Sequence, residues 1–165
     1  MAFHVLFVCT GNTCRSPMAE GLLRRLVQEH FPGQVEVSSA GTAGLEGLPA
    51  SEFAMDVARE NGVDLEGFHS SALNCRRIRE ADLILVMSPS HLEVVQKEEP
   101  EAADRIHLLR EFGGTASGAD SAVPDPIGAS IEVYRQSYQR IDDAIRGVLP
   151  RLQDLLGSTD SLDYS

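Results

Sequence analysis

The sequence predicts an α/β fold, a doubly wound parallel sheet with helices on both faces, and three observations carry that reading. Short apolar runs rich in β-branched residues alternate with amphipathic stretches of helical period. The runs Val5-Leu6-Phe7-Val8 and Leu83 to Met87 are apolar throughout, as strands buried on both faces are. Turn signals fall between the two kinds of segment, which is the pattern of strand-helix-strand units. Sheets of this kind bind ligands beyond the carboxyl ends of their strands, where the strand order reverses.

Taken in order, Val5-Leu6-Phe7-Val8 is the first strand, and Pro17 suits the first position of a helix because its missing N–H would find no partner there. That helix runs to about His30, is amphipathic through Met18, Leu22 and Leu26, and ends at Phe31-Pro32-Gly33. Val35 to Ser39 reads as a second strand. Ser51 caps a helix that buries Phe53, Ala54, Val57 and Ala58 and stops at Asn61-Gly62. Leu83 to Met87 is the third strand, and Ser88-Pro89 caps and starts a helix carrying Leu92, Val94 and Val95. Ile106 to Leu109 is a short fourth strand, followed by a surface loop of Gly, Ser, Ala and Asp. Ser130 caps the last helix, whose apolar side runs from Ile131 and Tyr134 to Leu152 and Leu155, with Pro150 expected to kink or interrupt it. One domain over residues 1–156 is expected, with a polar tail at 157–165 that frays.

Composition narrows the function. A chain of 165 residues with 42% hydrophobic content buries a core without disulfide or metal staples. A net charge of -11 argues against nucleic acid or an anionic membrane as partner. Three cysteines without a secreted spacing, no cationic leader and no long apolar run point to the reduced cytoplasm. The spacing of Cys9, Cys14 and Cys75 fits no zinc pattern, so no metal site is expected.

The chemistry concentrates in Val8-Cys9-Thr10-Gly11-Asn12-Thr13-Cys14-Arg15-Ser16-Pro17, between the first strand and the first helix. A loop in that place turns its N–H groups onto one anion, and the helix adds the positive end of its dipole. A thiol attacks phosphorus as the thiolate, a form favoured beside cations and helix N-termini. Cys9 has both nearby. Arg15 offers a planar fork of donors to two phosphate oxygens, which a lysine does not. Ser16 is placed to hydrogen-bond the sulfur, and Gly11 and Asn12 tolerate the positive φ of a tight turn. A cysteine ending a strand is commonly a small core hydrophobe; the strand before it, Gly-Asn within, Ser after and Pro at the helix start together outweigh that reading. Far downstream, Asp125 lies between Pro124 and Pro126 on a restricted segment able to present a carboxyl as an acid. An Asp-Pro pair by itself most often only starts a turn.

With Cys9, Arg15 and Ser16 at one end and Asp125-Pro126 at the other, the chain resembles the low-molecular-weight protein phosphatase family. The likeness extends through Met18-Ala19-Glu20-Gly21, Ser39-Ala40-Gly41-Thr42, Ala81 to Met87 and Asp125-Pro126-Ile127-Gly128. The resemblance implies a four-stranded sheet of order 2-1-3-4 and a phosphorylated protein as substrate, with no cofactor. It also implies Cys9 as nucleophile, Asp125 as acid and then base, and phosphate held by Arg15 and the amides of Thr10, Gly11, Asn12, Thr13, Cys14 and Arg15. Asn12, Ser16 and Ser39 are implied as the loop's brace. Family members often add a histidine where this chain has Phe68, with His69 one place later, which puts that brace in question. Cys14 is implied as a redox partner of Cys9, while Cys75 reads as a packing residue. His4, His30, His91 and His107 show no partner pattern and read as surface or core histidines.

Substrate choice follows from what lines the pocket. Phosphotyrosine members tend to place aromatic rings after the Asp-Pro pair and after Ser-Ala-Gly-Thr, where this chain has Ile127-Gly128 and Ala43-Gly44-Leu45. Thr13 stands where those members have an aliphatic residue. Thr13 and Ile127 are therefore the selectivity positions, and with Asp125-Pro126-Ile127-Gly128-Ala129-Ser130 they resemble the protein-arginine phosphatase branch, phosphotyrosine being the alternative. An arsenate reductase of this fold needs a downstream cysteine, and none follows Cys75; a non-catalytic phosphate-binding module would not be expected to keep both Cys9 and Asp125.

Overall fold

Strand β1 (Phe3–Cys9) occupies the centre of a parallel sheet and sorts its side chains alternately to two cores. Val5, Phe7 and Cys9 join one cluster, and Leu6 and Val8 join the other. In this computed structural model the backbone is described for residues 2–163, and the side chains for those residues apart from Ala119 and 158–163. The remaining strands are β2 (Val35–Gly41), β3 (Leu83–Val86) and β4 (Ile106–Leu108), in the order β2-β1-β3-β4. The order reverses beside β1, and Cys9 pairs with Gly41 at its carboxyl end.

Helices α1 (Arg15–His30), α2 (Glu52–Glu60), α5 (Leu109–Phe112) and α6 (Ile131–Asp163) supply the first core, with Met18, Leu22, Ile141 and Ile145 fully buried. Helices α3 (Cys75–Glu80) and α4 (Pro89–Glu98) supply the second, through Ile78 and Val95. Each large apolar side chain so buried contributes about 1.5–3 kcal/mol relative to exposure. Among the described residues no helix is long and apolar enough to cross a membrane.

Several local expectations are corrected. Helix α1 begins at Arg15, so Pro17 is its third residue; its absent N–H still falls among the first four, which have no intrahelical acceptor. Phe53 is on the exposed edge of its helix, at 38% exposure, because Ala54 and Val57 take the inward positions of α2. Cys75 joins neither core and lies against the Glu98 carbonyl at 3.5 Å. Ser51 caps α2 by accepting from the Ala54 N–H, as read, whereas Ser88 turns its hydroxyl toward Ser90 and His91. Helix α6 continues through Pro150, anchored on either side by the fully buried Val148 and Leu152. Its backbone runs on past Gly157, the start of the polar tail, to Asp163. Tyr164 and Ser165 of that tail lie outside the described residues.

Candidate active site

The chain leaves β1 at Cys9 and curls back into α1, and the loop's shape follows from where its carbonyls are tied. Thr42 and Ala43 N–H groups donate to the Cys9 and Thr10 carbonyls, both at 2.9 Å. Ser51 N–H donates to the Thr13 carbonyl at 2.8 Å, and Met18 N–H to that of Cys14 at 3.3 Å. None of the backbone N–H groups from Thr10 to Ser16 donates to another described residue. Free amides in such a loop, backed by a helix start, form an anion cradle. Gly41 lets β2 press against it: a Cβ there would stand 2.4 Å from the Thr10 carbonyl oxygen.

Asn12 alone among the described non-glycine residues has a positive φ, at 57°, and its side chain is held on every side. Its Nδ2 donates to Ser16 Oγ at 2.7 Å and Ser39 Oγ at 2.9 Å, and its Oδ1 accepts from the Ser71 N–H at 2.8 Å. The brace thus stands without a histidine: the Ser71 N–H donates to Oδ1, while Phe68 packs on the core and His69 is exposed. Gly11, expected to share the positive φ, does not have one. Ser39 passes its own proton to the buried Glu20 at 3.0 Å, and burial raises the Glu20 carboxyl against the opposing pull of Arg24. Since Ser16 Oγ accepts from Asn12, its proton is free to point at Cys9 Sγ, 2.8 Å away. That is the polarity a thiolate needs.

Arg15 is 95% buried, with each end of its guanidinium committed differently. Nη1 donates to the Val123 carbonyl at 3.0 Å, which ties the acid-bearing segment to the loop. Nη2 donates to Thr10 Oγ1 at 3.3 Å and lies 3.5 Å from Asp125 Oδ2. Nε is buried and has no hydrogen-bond partner among the described residues. An unpaired buried guanidinium N–H costs stability unless a ligand oxygen meets it. Asp125 is reached from the other direction: Val123 N–H donates to the Met87 carbonyl at 2.7 Å, Ser137 Oγ to that of Pro124 at 3.2 Å, and Ile127 N–H to Asp125 Oδ1 at 3.1 Å. The Asp125 carboxyl stays 40% exposed, open to a ligand.

The structure therefore brings Cys9, Thr10, Asn12, Thr13, Cys14, Arg15, Ser16, Ser39 and Asp125 to one end of the sheet, with Ile127 at the rim, 66% exposed. Three further residues join them in a way that the sequence reading missed. His91, in the first turn of α4, is buried and bonds Thr10 Oγ1 at 2.8 Å. Its signal was positional: a histidine opening the helix after β3, the strand beside β1. Tyr134 OH and Ser51 Oγ each lie 3.4 Å from Cys14 Sγ. Burial raises the Tyr134 phenol, keeping it a protonated donor, and Phe53 meets its ring edge-on at 5.5 Å.

A thiol at the start of an anion cradle, with an arginine and a carboxyl paired beside it, is an arrangement suited to phosphoryl chemistry, and known phosphatases match the chain along its length. The family described as low molecular weight phosphotyrosine protein phosphatase matches residues 4–156. A protein-arginine-phosphatase of Geobacillus stearothermophilus is 40% identical, over 93% of this chain and 98% of the relative. The low molecular weight protein-tyrosine-phosphatase Etp of Escherichia coli is 38% identical, over 90% and 93%. Among solved structures, the YwlE arginine phosphatase of G. stearothermophilus superposes with a TM-score of 0.83 at 37% identity, covering 99% of this chain and 97% of that one. The tyrosine phosphatase Wzb of E. coli, solved with sulphate, gives 0.81 at 35% identity, covering 92% and 99%. The chain belongs to the low molecular weight phosphotyrosine protein phosphatase family, and it is a phosphoprotein phosphatase of that type.

Proposed function

We propose that this phosphatase acts on phosphoarginine side chains in preference to phosphotyrosine, with Cys9 as nucleophile and Asp125 as acid and base. Cys9 sulfur attacks phosphorus and the P–N bond breaks, while the Asp125 carboxyl gives its proton to the departing guanidine nitrogen. Water then attacks the phosphocysteine, Asp125 takes its proton, and the P–S bond breaks to release phosphate and the Cys9 thiolate. Arg15 and the loop amides bind the phosphoryl oxygens throughout.

The observation that carries the substrate preference is the pocket rim. Leu45 and Ile127, each 66% exposed, occupy the segments where phosphotyrosine members tend to carry rings, and Thr13, half-exposed, sits in the loop between Cys9 and Arg15. A phenyl ring gains much of its binding from aromatic contact, whereas a guanidinium seeks acceptors, which Asp125 and a chain of charge -11 supply. The likeness to the Geobacillus protein-arginine-phosphatase supports the same reading. kcat/KM on matched phosphoarginine and phosphotyrosine peptides tests it: phosphoarginine should lead by about tenfold or more, and Thr13→Ile should move the ratio toward phosphotyrosine. A lead for phosphotyrosine that Thr13→Ile leaves unchanged would assign the chain to tyrosine phosphatases.

Cys14, free and buried in the same loop as Cys9, is the proposed partner in a reversible disulfide. Mild peroxide should inactivate the enzyme and a thiol reductant restore it, with Cys14→Ser making the loss less reversible. Peptide mapping of the oxidised protein that finds no Cys9 to Cys14 bond would end that role.

A further inference from the structure

The Thr10 hydroxyl is shared between two groups. Arg15 Nη2 donates to it at 3.3 Å, and His91 Nε2 meets it at 2.8 Å. On its other side His91 Nδ1 meets Ser88 Oγ at 2.9 Å, and Ser88 in turn meets Ser90 at 2.8 Å. Guanidinium nitrogen only donates, so Thr10 oxygen is an acceptor toward Arg15 and its single proton is available to His91 Nε2. A neutral imidazole protonated on Nδ1 accepts from Thr10 and donates to Ser88. Burial, and after it the nearby Arg15 charge, lower its pKa to about 4 against the weaker opposing pull of Asp125, in keeping with a neutral ring.

We propose that His91 is a positioning residue for the reaction: through the Thr10 hydroxyl it fixes the guanidinium of Arg15 so that Nε, buried and without a hydrogen-bond partner among the described residues, faces the phosphoryl oxygens. The backbone makes this coupling direct. Met87 N–H donates to the Val8 carbonyl at 3.1 Å, one residue before Cys9, and the Met87 carbonyl accepts from Val123, two residues before Asp125. Helix α4 opens two residues further on, and its His91 N–H donates back to the Ser88 carbonyl at 3.1 Å. The strand end that carries His91 is thus tied to both the cysteine loop and the acid segment. Without the imidazole, the Thr10 hydroxyl is free to rotate, and the Nη2 end of Arg15 loses a fixed acceptor. Displacing a charged donor by even an ångström costs on the order of a hundredfold in rate.

This inference rests on Arg15 as the phosphoryl-binding group and is independent of the phosphoarginine preference, so p-nitrophenyl phosphate serves as substrate and inorganic phosphate as the binding probe. His91→Ala should lower kcat about ten- to a hundredfold and weaken phosphate inhibition. His91→Gln, whose amide reaches Thr10, should restore kcat to within about threefold of wild type, while the shorter His91→Asn, which reaches only the Ser88 side, should not. Thr10→Val should lower kcat similarly, and the His91→Ala/Thr10→Val pair should lose no more than the worse single variant. Equal losses in the Ala, Gln and Asn variants, additive losses in the pair, or wild-type kinetics in His91→Ala would each overturn the proposal. Should His91→Ala not fold, Gln against Asn and Thr10→Val carry the same decision. Unchanged phosphate inhibition in Arg15→Ala would instead refute the role given to Arg15.

Discussion

Cys9→Ser should lower turnover by about four orders of magnitude or more, the scale of loss when a covalent nucleophile is removed. Affinity for inorganic phosphate should change only a few-fold. The two effects separate because the groups that hold the anion are elsewhere. Arg15 is fixed by Val123 and Thr10, and the loop carbonyls are tied by Thr42, Ala43, Ser51 and Met18, none of them through Cys9 sulfur. The sulfur takes one hydrogen bond from Ser16, which a serine hydroxyl can also accept. Rate and phosphate inhibition measured on one preparation check this. Near-normal turnover would contradict a covalent mechanism, and loss of phosphate affinity in step with rate would mean that the cradle itself had collapsed.

Asp125→Asn should lower kcat by about 10²–10⁴-fold on substrates with poor leaving groups, the usual contribution of a positioned acid. On p-nitrophenyl phosphate, whose leaving oxygen needs little protonation, the loss in the first step should be far smaller. A series of aryl phosphates of rising leaving-group pKa reads this as a steeper dependence of the phosphorylation rate in the variant than in wild type. The Asp125 backbone is held by Met87, Arg15 and Ser137 through Val123 and Pro124, and none of these contacts uses its carboxyl, so the variant keeps the segment in place. An equal loss across the series would make Asp125 a structural partner of Arg15 only.

How much of this was legible beforehand depended on whether the determining contact was local. The strands β1 and β3 were written in continuous apolar runs, and the cysteine loop in residue types that a phosphate cradle requires together. Corrections came where a distant partner decided the outcome. Asn12 takes the strained φ that Gly11 seemed equally suited to, because Ser16, Ser39 and Ser71 together hold its amide. The brace survives the absent histidine through a backbone N–H, which has no sequence signature. His91 and Tyr134 looked like ordinary core or helix residues, since what brings them to Thr10 and Cys14 is the adjacency of β3 to β1 and the packing of α6, 81 and 120 residues away in sequence. Pro150 was read by its local penalty, and the helix runs on past it between the buried Val148 and Leu152.

The central claim is that the phosphoryl group passes through the sulfur of Cys9, and a rapid acid quench tests it most directly. In Asp125→Asn turning over p-nitrophenyl phosphate, transfer to sulfur proceeds while activation of water is impaired, so the intermediate accumulates. Mass spectrometry of the quenched protein should find one phosphoryl adduct, on the peptide that contains Cys9, forming as fast as the burst of nitrophenol. A burst with no adduct on that peptide, or an adduct carried by another residue, would contradict the account.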